Sequence, residues 1–396
     1  MTARPHLSDA ERRRRLVARH HLGGTATSVV DVAGALCGLH ATDPASVYLS
    51  AQARVAGLER ADLDRELYDD RSLVRLLAMR RTVFVVPRDG AAVAQAACSE
   101  ALLAGERRRL HALLVDQGHT ADPDAFLAAL GARVLAHLDD VGESSAVDLA
   151  KAIPELTIKL AQAIGKPYEG SVGLSSKLLF LLALEGHLVR GRPLGTWVSS
   201  QYRWAHTETW LGEPLAPWDP ADARAELARR WLAQYGPAPV DDLRWWSGWP
   251  LGQTRAALAA VGAVEVDLDD GTIGWVLPDD LDATAEAKPV ATLLPSLDPA
   301  TMGWKTRHWY LGDHGDRLFD RNGNGGPTIW WDGRIVGGWV QRPAGDVELF
   351  PLEDLPPAAL RAIADRADAL TAWLGDTRIK SRFPNPIEKE SSAEVR

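Results

Sequence analysis

The heptapeptide GLHATDP, residues 38–44, carries the side chains in this sequence that are best suited to chemistry. His40 and Thr42 stand two residues apart, so in an extended segment both side chains point to the same side. Pro44 is suited to the first position of a helix, and Asp43 to its N-cap. We therefore expect His40, with an ordinary pKa of about 6.5, to act as a base and Thr42 to help it hold a water molecule. The alternative is a surface histidine beside an ordinary helix N-cap.

The rest of the sequence has no pattern typical of a metal site, a cofactor site or a covalent nucleophile. Cys37 and Cys98 are far apart and the histidines are scattered, so zinc-type spacing is missing. Neither a nucleophile elbow nor a phosphate-binding loop is found, and the glycines between Gly323 and Pro327 are typical of a turn. The sequence predicts a protein that uses no metal and no cofactor.

Length and composition limit the class of protein. The chain has 396 residues, of which 46% are hydrophobic and 24% are charged. These values are typical of two to four globular units and exclude a largely disordered chain. No uncharged apolar run of about 18 residues and no secretory signal is found, so we expect a cytoplasmic protein without a membrane anchor. The lack of heptad repeats favours a monomer.

Charge is distributed unevenly along the chain. The formal net charge of −9 argues against a uniformly basic nucleic-acid binder. Residues 262–287 contain eight acidic residues and no lysine or arginine, whereas residues 74–110 and 151–210 have more basic than acidic residues. A basic side of such a surface can follow a phosphate backbone, and the alternative is a set of solvated surface arginines.

Two stretches with the same order of elements begin roughly 90 residues apart. Residues 123–198 and 220–277 each predict three helices followed by a hairpin, with the first hairpin inside residues 190–198. This order is the plan of a winged helix, whose third helix and hairpin contact nucleic acid. Residues 8–87 fit the same plan, with a tight turn at Met79–Arg81, so we expect three tandem winged helices.

From about residue 290 the sequence changes to short β-rich runs separated by Asn-Gly, Gly-Gly and Asp-Gly turns. This pattern of short strands and tight turns predicts a small C-terminal β-barrel, followed by a closing helix over residues 356–374. The predicted fold class is α+β, and tryptophans are expected to pack in the core. The expected units are residues 1–118, 119–213, 214–287 and 288–375, with a loose tail at 376–396.

Four segments in this order resemble the winged-helix DNA glycosylases of the AlkZ and YcaQ type. They are GLHATDP, VRLLAMRRTVFVVP, LLPSLDPATMGWKTR and RLFDRNGNGGPTIWWDGRIVGGW. The resemblance covers about residues 8–374. It implies three winged helices and a β-barrel forming a C around duplex DNA. It also implies a monofunctional glycosylase that excises alkylated purines, including bulky adducts, in some cases as antibiotic self-resistance.

The chain departs from the motifs of that family at two places. The family's catalytic motif is glutamine, an apolar residue, and glutamine or aspartate before Asp-Pro, whereas this chain has His40, Ala41 and Thr42. In the second segment, Arg81 and Phe84 stand where the family has glycine and histidine. Arg80, Thr82 and Asp43 are expected to line the site, and His40 could offset the histidine missing at Phe84.

The chemistry of the implied substrate tolerates such replacements. A guanine alkylated at N7 is already a cation and leaves without protonation by a strong acid. The protein then needs to stabilise an oxocarbenium-like sugar and place a water molecule. A bulky adduct would not enter a tight pocket, so an open site is expected.

Basic and polar side chains on the predicted hairpins, the third helix and the barrel are the expected contacts to double-stranded DNA: Arg81, Lys177, Arg190, Arg192, Lys305, Arg307, Arg321 and Asn322. The leading hypothesis is a DNA glycosylase for bulky or N7-alkylated purines. The alternative is a DNA-binding protein without catalysis, either a regulator or a resistance factor that sequesters adducts. A third interpretation is that the winged helices bind other proteins.

Overall fold

The computed structural model describes residues 4–162 and 170–394. The first region contains a small antiparallel sheet of order β2-β4-β3, surrounded by helices. Its elements are β1 (His6–Leu7), α1 (Asp9–Arg19), α2 (Val29–Ala35), β2 (Leu39–His40), α3 (Pro44–Gln52), α4 (Arg60–Asp64), β3 (Leu73–Leu77), β4 (Val83–Pro87), α5 (Arg88–Ala94) and α6 (Glu100–Asp116). The predicted turn is confirmed, since β3 and β4 pair across a 3-10 turn at Met79–Arg81.

The second region has its own apolar core, to which Leu77, Leu110 and Leu114 contribute. Its elements are α7 (Pro123–Val141), β5 (Glu143–Ser145), α8 (Ala146–Ala152), β6 (Lys159–Gln162), β7 (Gly170–Gly173), α9 (Leu174–Leu184), β8 (Leu188–Pro193), β9 (Tyr202–His206) and α10 (Thr207–Leu211). Its main sheet has the order β5-β9-β8.

The hairpin predicted inside residues 190–198 is wrong, because β8 pairs instead with β9 at residues 202–206. Pro193 ends the first strand, and the loop closes where the Leu194 N–H donates to the Gln201 carbonyl at 2.6 Å. The second strand uses the aromatic run around Tyr202 and Trp204, which suits a half-buried strand.

The third region has the predicted order of three helices and a hairpin, joined by the Asp-Asp-Gly turn. Its elements are α11 (Pro220–Tyr235), α12 (Val240–Ser247), α13 (Leu251–Ala260), β10 (Val264–Leu268) and β11 (Ile273–Val276). The N-terminal strand β1 extends this sheet by pairing in parallel with β10.

The C-terminal region contains an open four-stranded antiparallel sheet. Its elements are β12 (Ala291–Leu294), α14 (Pro299–Met302), α15 (His308–Leu311), α16 (Gly315–Leu318), β13 (Thr328–Trp331), β14 (Arg334–Gln341), β15 (Val347–Pro351) and α17 (Pro357–Leu374). The expected closed barrel is wrong for the described residues, because β12 and β15 are the two ends of the strand order and do not pair. The apolar face of the sheet is covered by α17, with Ile363 and Leu370 buried, so the sheet need not close on itself.

The expectation of a loose tail after residue 376 is also wrong. Helix α18 (Pro386–Glu394) ends the described chain and lies against β14 and α16. Asn385 and Glu388 cap it reciprocally, each accepting the other's backbone N–H at 2.9 Å. Ile387 is its apolar anchor, 1% exposed. The helix is held by one apolar side chain and a local cap. Its sequence therefore has no apolar periodicity, and for this reason the helix was not expected.

The largest apolar cluster joins the first, third and C-terminal regions and also includes Val189 and Trp210 of the second region. Five tryptophans, namely Trp231, Trp246, Trp304, Trp330 and Trp339, are fully buried, which confirms the packing role expected for them. In the described part of the chain, none of the helices has the length and apolar character needed to cross a bilayer.

Candidate active site

The segment HATD, residues 40–43, forms the junction between β2 and α3. Strand β2 ends at His40, and Asp43 is the N-cap of α3, its Oδ1 accepting the Ala45 N–H at 3.1 Å. Pro44 occupies the first helical turn. The predicted cap and helix start are therefore confirmed.

A fully buried ion pair holds α3 against the C-terminal region. The guanidinium of Arg54, just after the end of α3, donates to both carboxylate oxygens of Asp298 at 2.8 Å. Ser50 Oγ donates to the same carboxylate at 2.6 Å. Asp298 belongs to the segment LLPSLDPATMGWKTR, so this segment fixes the helix that begins at the candidate site.

His40 is buried and electrically neutral at ordinary pH. Its ring is 6% exposed and packs edge-on against Phe84, with 4.8 Å between the ring centroids. Burial, with a further contribution from the nearby Arg80 cation, lowers the pKa of His40 to about 3. The expected ordinary pKa is therefore wrong, because the apolar strand pair penalises the imidazolium form.

The hydrogen bonding of His40 points to one tautomer. Its Nδ1 accepts the Thr42 backbone N–H at 3.5 Å. This contact leaves the ring proton on Nε2, so the free side of the imidazole is a hydrogen-bond donor. In this state His40 can orient a water molecule or a substrate oxygen, but it is a poor base.

Asp43 is a buried carboxylate that the C-terminal segment contacts. Its side chain is 6% exposed, and burial raises the pKa of its carboxyl group. Arg382 donates its backbone N–H to Asp43 Oδ2 and its guanidinium to the Thr42 carbonyl, each at 3.3 Å. Arg382 was not expected at the site, because it lies in the segment expected to be loose.

A cavity of about 540 Å³ lies behind the loop and includes Asp43 in its wall. Its opposite wall is formed by the C-terminal segment, with Ser381 and Glu388. Burial raises the pKa of Glu388 to about 7, and the carboxylate of Asp43 adds to this shift. His40 and Thr42 do not line this cavity.

The turn between β3 and β4 presents Arg80 near His40, while Thr82 closes the turn. Thr82 Oγ1 donates to the Met79 carbonyl at 2.9 Å, which is a structural contact. The Arg80 guanidinium lies 4.2 Å from the ring centroid of Trp245, and Arg307 stacks on the same ring at 4.9 Å. Nothing in the sequence distinguished Trp245 from the tryptophans that only pack in the core.

Three predicted DNA contacts from separate segments line one cleft of about 440 Å³: Arg81, Lys177 and Arg190. Arg81 forms an ion pair with Glu106 at the edge of this cleft. Arg190 stacks on Trp204 at 3.5 Å from the ring centroid, and burial lowers its pKa to about 10.

The other predicted contacts lie elsewhere. Arg192 forms an ion pair with Asp69 and lines a different cavity. Lys305 is exposed, and its backbone N–H donates to Asp242 at 3.0 Å. Arg321 and Asn322 are exposed in the turn that precedes β13. Among residues 4–162 and 170–394 no group of three or more His, Cys, Asp and Glu side chains could hold a metal ion.

The family model described as DNA glycosylase AlkZ-like matches residues 33–373. The chain belongs to this family. Among solved structures, the Streptomyces sahachiroi DNA glycosylase AlkZ is similar with a TM-score of 0.71 and 22% sequence identity, over 95% of this chain and 99% of that chain. This AlkZ-like chain therefore has an AlkZ-type fold, mixed α and β. No curated protein matches it in sequence.

Proposed function

We propose that this AlkZ-like protein is a monofunctional DNA glycosylase that hydrolyses the N-glycosidic bond of N7-alkylated or bulky purines in duplex DNA. The observation that carries the proposal is the polar loop at His40–Asp43, between β2 and α3, in a chain of this family. No lysine belongs to this loop, and a lysine amine is the usual nucleophile for strand cleavage.

The reaction that this loop suits is a dissociative hydrolysis. The bond between C1′ and N9 breaks with its electron pair going to the purine, and the N7-alkylated purine leaves as a neutral base. Water then adds to the oxocarbenium-like sugar and loses a proton to solvent. Because the cation is a strong electrophile, the water needs positioning more than deprotonation.

Within this scheme His40 and Thr42 position the water. The Nε2–H of His40 donates to the water oxygen, and the Thr42 hydroxyl accepts one of its protons. The carboxylate of Asp43, the next residue, favours the cationic sugar electrostatically. Phe84 is the direct cross-strand neighbour of His40, so a histidine at either position would reach the same part of the sheet.

The substrate class is a purine whose adduct does not need to enter a closed pocket. The cavity beside the loop does not include His40 or Thr42 in its wall, which fits hydrolysis from outside a tight pocket. We further propose three winged helices, over about residues 8–87, 123–206 and 220–276, that follow the duplex as a monomer in the cytoplasm. In the cell this activity would give self-resistance to an alkylating natural product.

The test is base release from a labelled duplex with a single N7-methylguanine or a single bulky N7-guanine adduct. Strand cleavage after hot alkali, and not before it, would support a monofunctional glycosylase. His40→Ala and Thr42→Ala should bind the duplex and release little base, whereas His187→Ala, an exposed histidine, is the matched control. Wild-type release by His40→Ala would remove His40 from the mechanism, and cleavage without alkali would contradict the monofunctional assignment.

The second candidate is a non-catalytic protein that sequesters adducts or regulates transcription. It is favoured by the low pKa of His40, about 3, together with the replacement of both polar residues of the family's catalytic motif. It predicts tight binding to adduct-containing duplex with no free base from either adduct. Survival of cells that express the wild type or His40→Ala under an alkylating agent separates the two, because sequestration would not require His40.

A further inference from the structure

Two arginines share one aromatic ring and lack an anionic partner among the described residues. Arg80 and Arg307 place their guanidinium carbons 4.2 Å and 4.9 Å from the ring centroid of Trp245. In the described parts of the chain, no carboxylate lies within 4.0 Å of either guanidinium. A pair of cations on one ring is unfavourable by itself, since only the π face offsets their charge.

The cost of this arrangement is visible at Arg80. Burial, with a further contribution from the charge of Arg307, lowers the pKa of Arg80 to about 10. Its Nε is fully buried and finds no hydrogen-bond partner within the part of the chain that the structure describes. A partly buried cation that lacks both an acid and a full set of acceptors destabilises the free protein unless a ligand supplies them.

Both side chains are nevertheless held in fixed positions. Arg307 donates from Nε to the Trp304 carbonyl at 2.8 Å and also stacks on Phe319 at 4.6 Å. Arg80 has a φ of 53°, a left-handed conformation that arginine rarely adopts. Gly248, after α12, lies beside this residue, and a Cβ added there would be in ordinary van der Waals contact with Arg80 Cα at 3.5 Å. Strain and rigidity combined with unmet charge are typical of a binding site.

We propose that Arg80 and Arg307, stacked on Trp245, bind one phosphodiester group of duplex DNA beside His40, an inference that rests on the proposed function. Planar guanidinium groups present parallel N–H donors that match phosphate oxygens. The bound phosphodiester, with its single negative charge, offsets part of the combined charge of the two guanidinium groups. It also shields the positively charged sugar of the transition state from Arg80, which otherwise opposes it. From the sequence the two arginines were expected to act separately, whereas in the structure both stack on Trp245 and form one site.

The first test measures, by fluorescence anisotropy, how binding to an undamaged duplex depends on salt concentration. The slope of log K against log salt counts neutralised phosphates at about 0.9 each. Arg80→Gln and Arg307→Gln should therefore lower the slope, and the double variant should lower it by about 0.9 in total and not by twice that amount. Trp245→Leu should act in the same direction. Arg229→Gln, which removes an exposed cation paired with Glu226 on α11, is the control for net charge.

The second test locates the phosphate. Single methylphosphonate linkages, which lack the charge, are placed in turn on both sides of an N7-methylguanine. One linkage should weaken binding of the wild type and of Arg229→Gln, and the same linkage should have no effect on Arg80→Gln or Arg307→Gln.

The outcomes distinguish this inference from the proposed function. If the arginine variants bind DNA with the slope and the methylphosphonate sensitivity of the wild type, the phosphate site is wrong and the glycosylase proposal stands. If the wild type binds no duplex, the proposed function itself fails. If inorganic phosphate abolishes the difference between wild type and Arg80→Gln while no linkage is sensitive, the site takes free anions and not DNA.

A folding readout excludes a purely structural role. Without DNA, Arg80→Gln should unfold at the same or a higher temperature than the wild type, because the guanidinium that it removes is largely buried and pairs with no carboxylate among the described residues. A lower midpoint together with an unchanged slope would assign Arg80 to structure alone.

Discussion

The N-terminal strand β1 and the C-terminal helix α18 both dock on distant parts of the chain, but they contact chemically different surfaces. Strand β1 pairs with β10 in the acidic hairpin, where Arg4 contacts Glu265 at 2.8 Å and His6 contacts Asp269 at 2.9 Å. These contacts offset negative charge at an exposed edge and have no connection to the candidate site.

The C-terminal segment instead supports the candidate active site. Arg382 contacts Thr42 and Asp43, and Glu388 faces Asp43 across the 540 Å³ cavity. A docked segment can therefore stabilise a sheet at one end of the chain and support the geometry of the candidate site at the other. Changes at the C-terminus should therefore alter stability and activity, whereas changes at the N-terminus should alter stability only.

The largest effects are expected from removing the apolar anchor at each end. At the N-terminal end the anchor is Leu7, which is 7% exposed and packs with Val266 and Leu268. Ile387→Ala should destabilise the protein by about 3 kcal/mol and Leu7→Ala by about 2 kcal/mol, because each leaves a cavity. At a temperature where both variants are folded, only Ile387→Ala should slow base release. Denaturant unfolding measures the loss of stability, and single-turnover kinetics measure the rate of base release. If Leu7→Ala lost as much activity as Ile387→Ala, the C-terminal segment would have no special role at the candidate site.

The next effect is a pH dependence at the C-terminal end. Burial raises the pKa of Glu388 to about 7 from an ordinary 4.5, so the folded protein holds this proton more tightly than the unfolded chain. The resulting stabilisation is complete below pH 4.5 and is lost as the pH rises through 7, a change of up to about 3 kcal/mol. Glu388→Gln should flatten that part of the stability profile, whereas Glu390→Gln on the exposed side of α18 should keep it. If stability changed with pH in the same way in the wild type and in Glu388→Gln, Glu388 would not be the group responsible for the pH dependence.

A smaller effect is expected at Arg382, which acts through the loop and is a positioning residue. Arg382→Ala should lower kcat about tenfold or less while KM changes little, because the loop loses one guanidinium contact. Arg382→Lys should recover part of the loss, and unfolding should change by less than about 1 kcal/mol. Arg4→Gln is the matched control at the other end, and a KM effect without a kcat effect would point to DNA binding by Arg382 instead.

The smallest effect is expected at Arg4. Its ion pairs with Glu265 and Asp267 are exposed, so Arg4→Gln should cost about 0.5 kcal/mol or less. The loss should vanish at high salt, because screening removes the interaction in the wild type as well. A loss that persists in 1 M salt would show that Arg4 contributes packing rather than charge.

Local signals in the sequence predicted the loop and the order of most helices and strands. Asp43 and Pro44 identify the start of α3 through capping chemistry that involves only neighbouring residues. The turn at Met79–Arg81 follows from two apolar runs of β type on either side of it. Such features depend on short sequence distances and are read directly from residue types.

The features that sequence reasoning missed depend on distant partners. The low pKa of His40 results from its burial, beside Phe84 of β4, and from Arg80, and no spacing within residues 38–44 encodes either contact. Trp245, in the third region, contacts Arg80 of the first region and Arg307 of the C-terminal region only because these regions pack together. The barrel was expected from the turn residues between the strands. Helix α17 instead buries the apolar face of the sheet, so the sheet does not need to close on itself.

The buried pair between Arg54 and Asp298 has a consequence for how this protein can evolve. Because both side chains are completely buried, losing either partner leaves a charge with no solvent and no counter-ion. A recombination event that transferred the first region alone onto another scaffold would create that situation at the end of α3, the helix that begins at the candidate site. The segment that contains residues 40–54 and the segment that contains Asp298 are therefore expected to be inherited together.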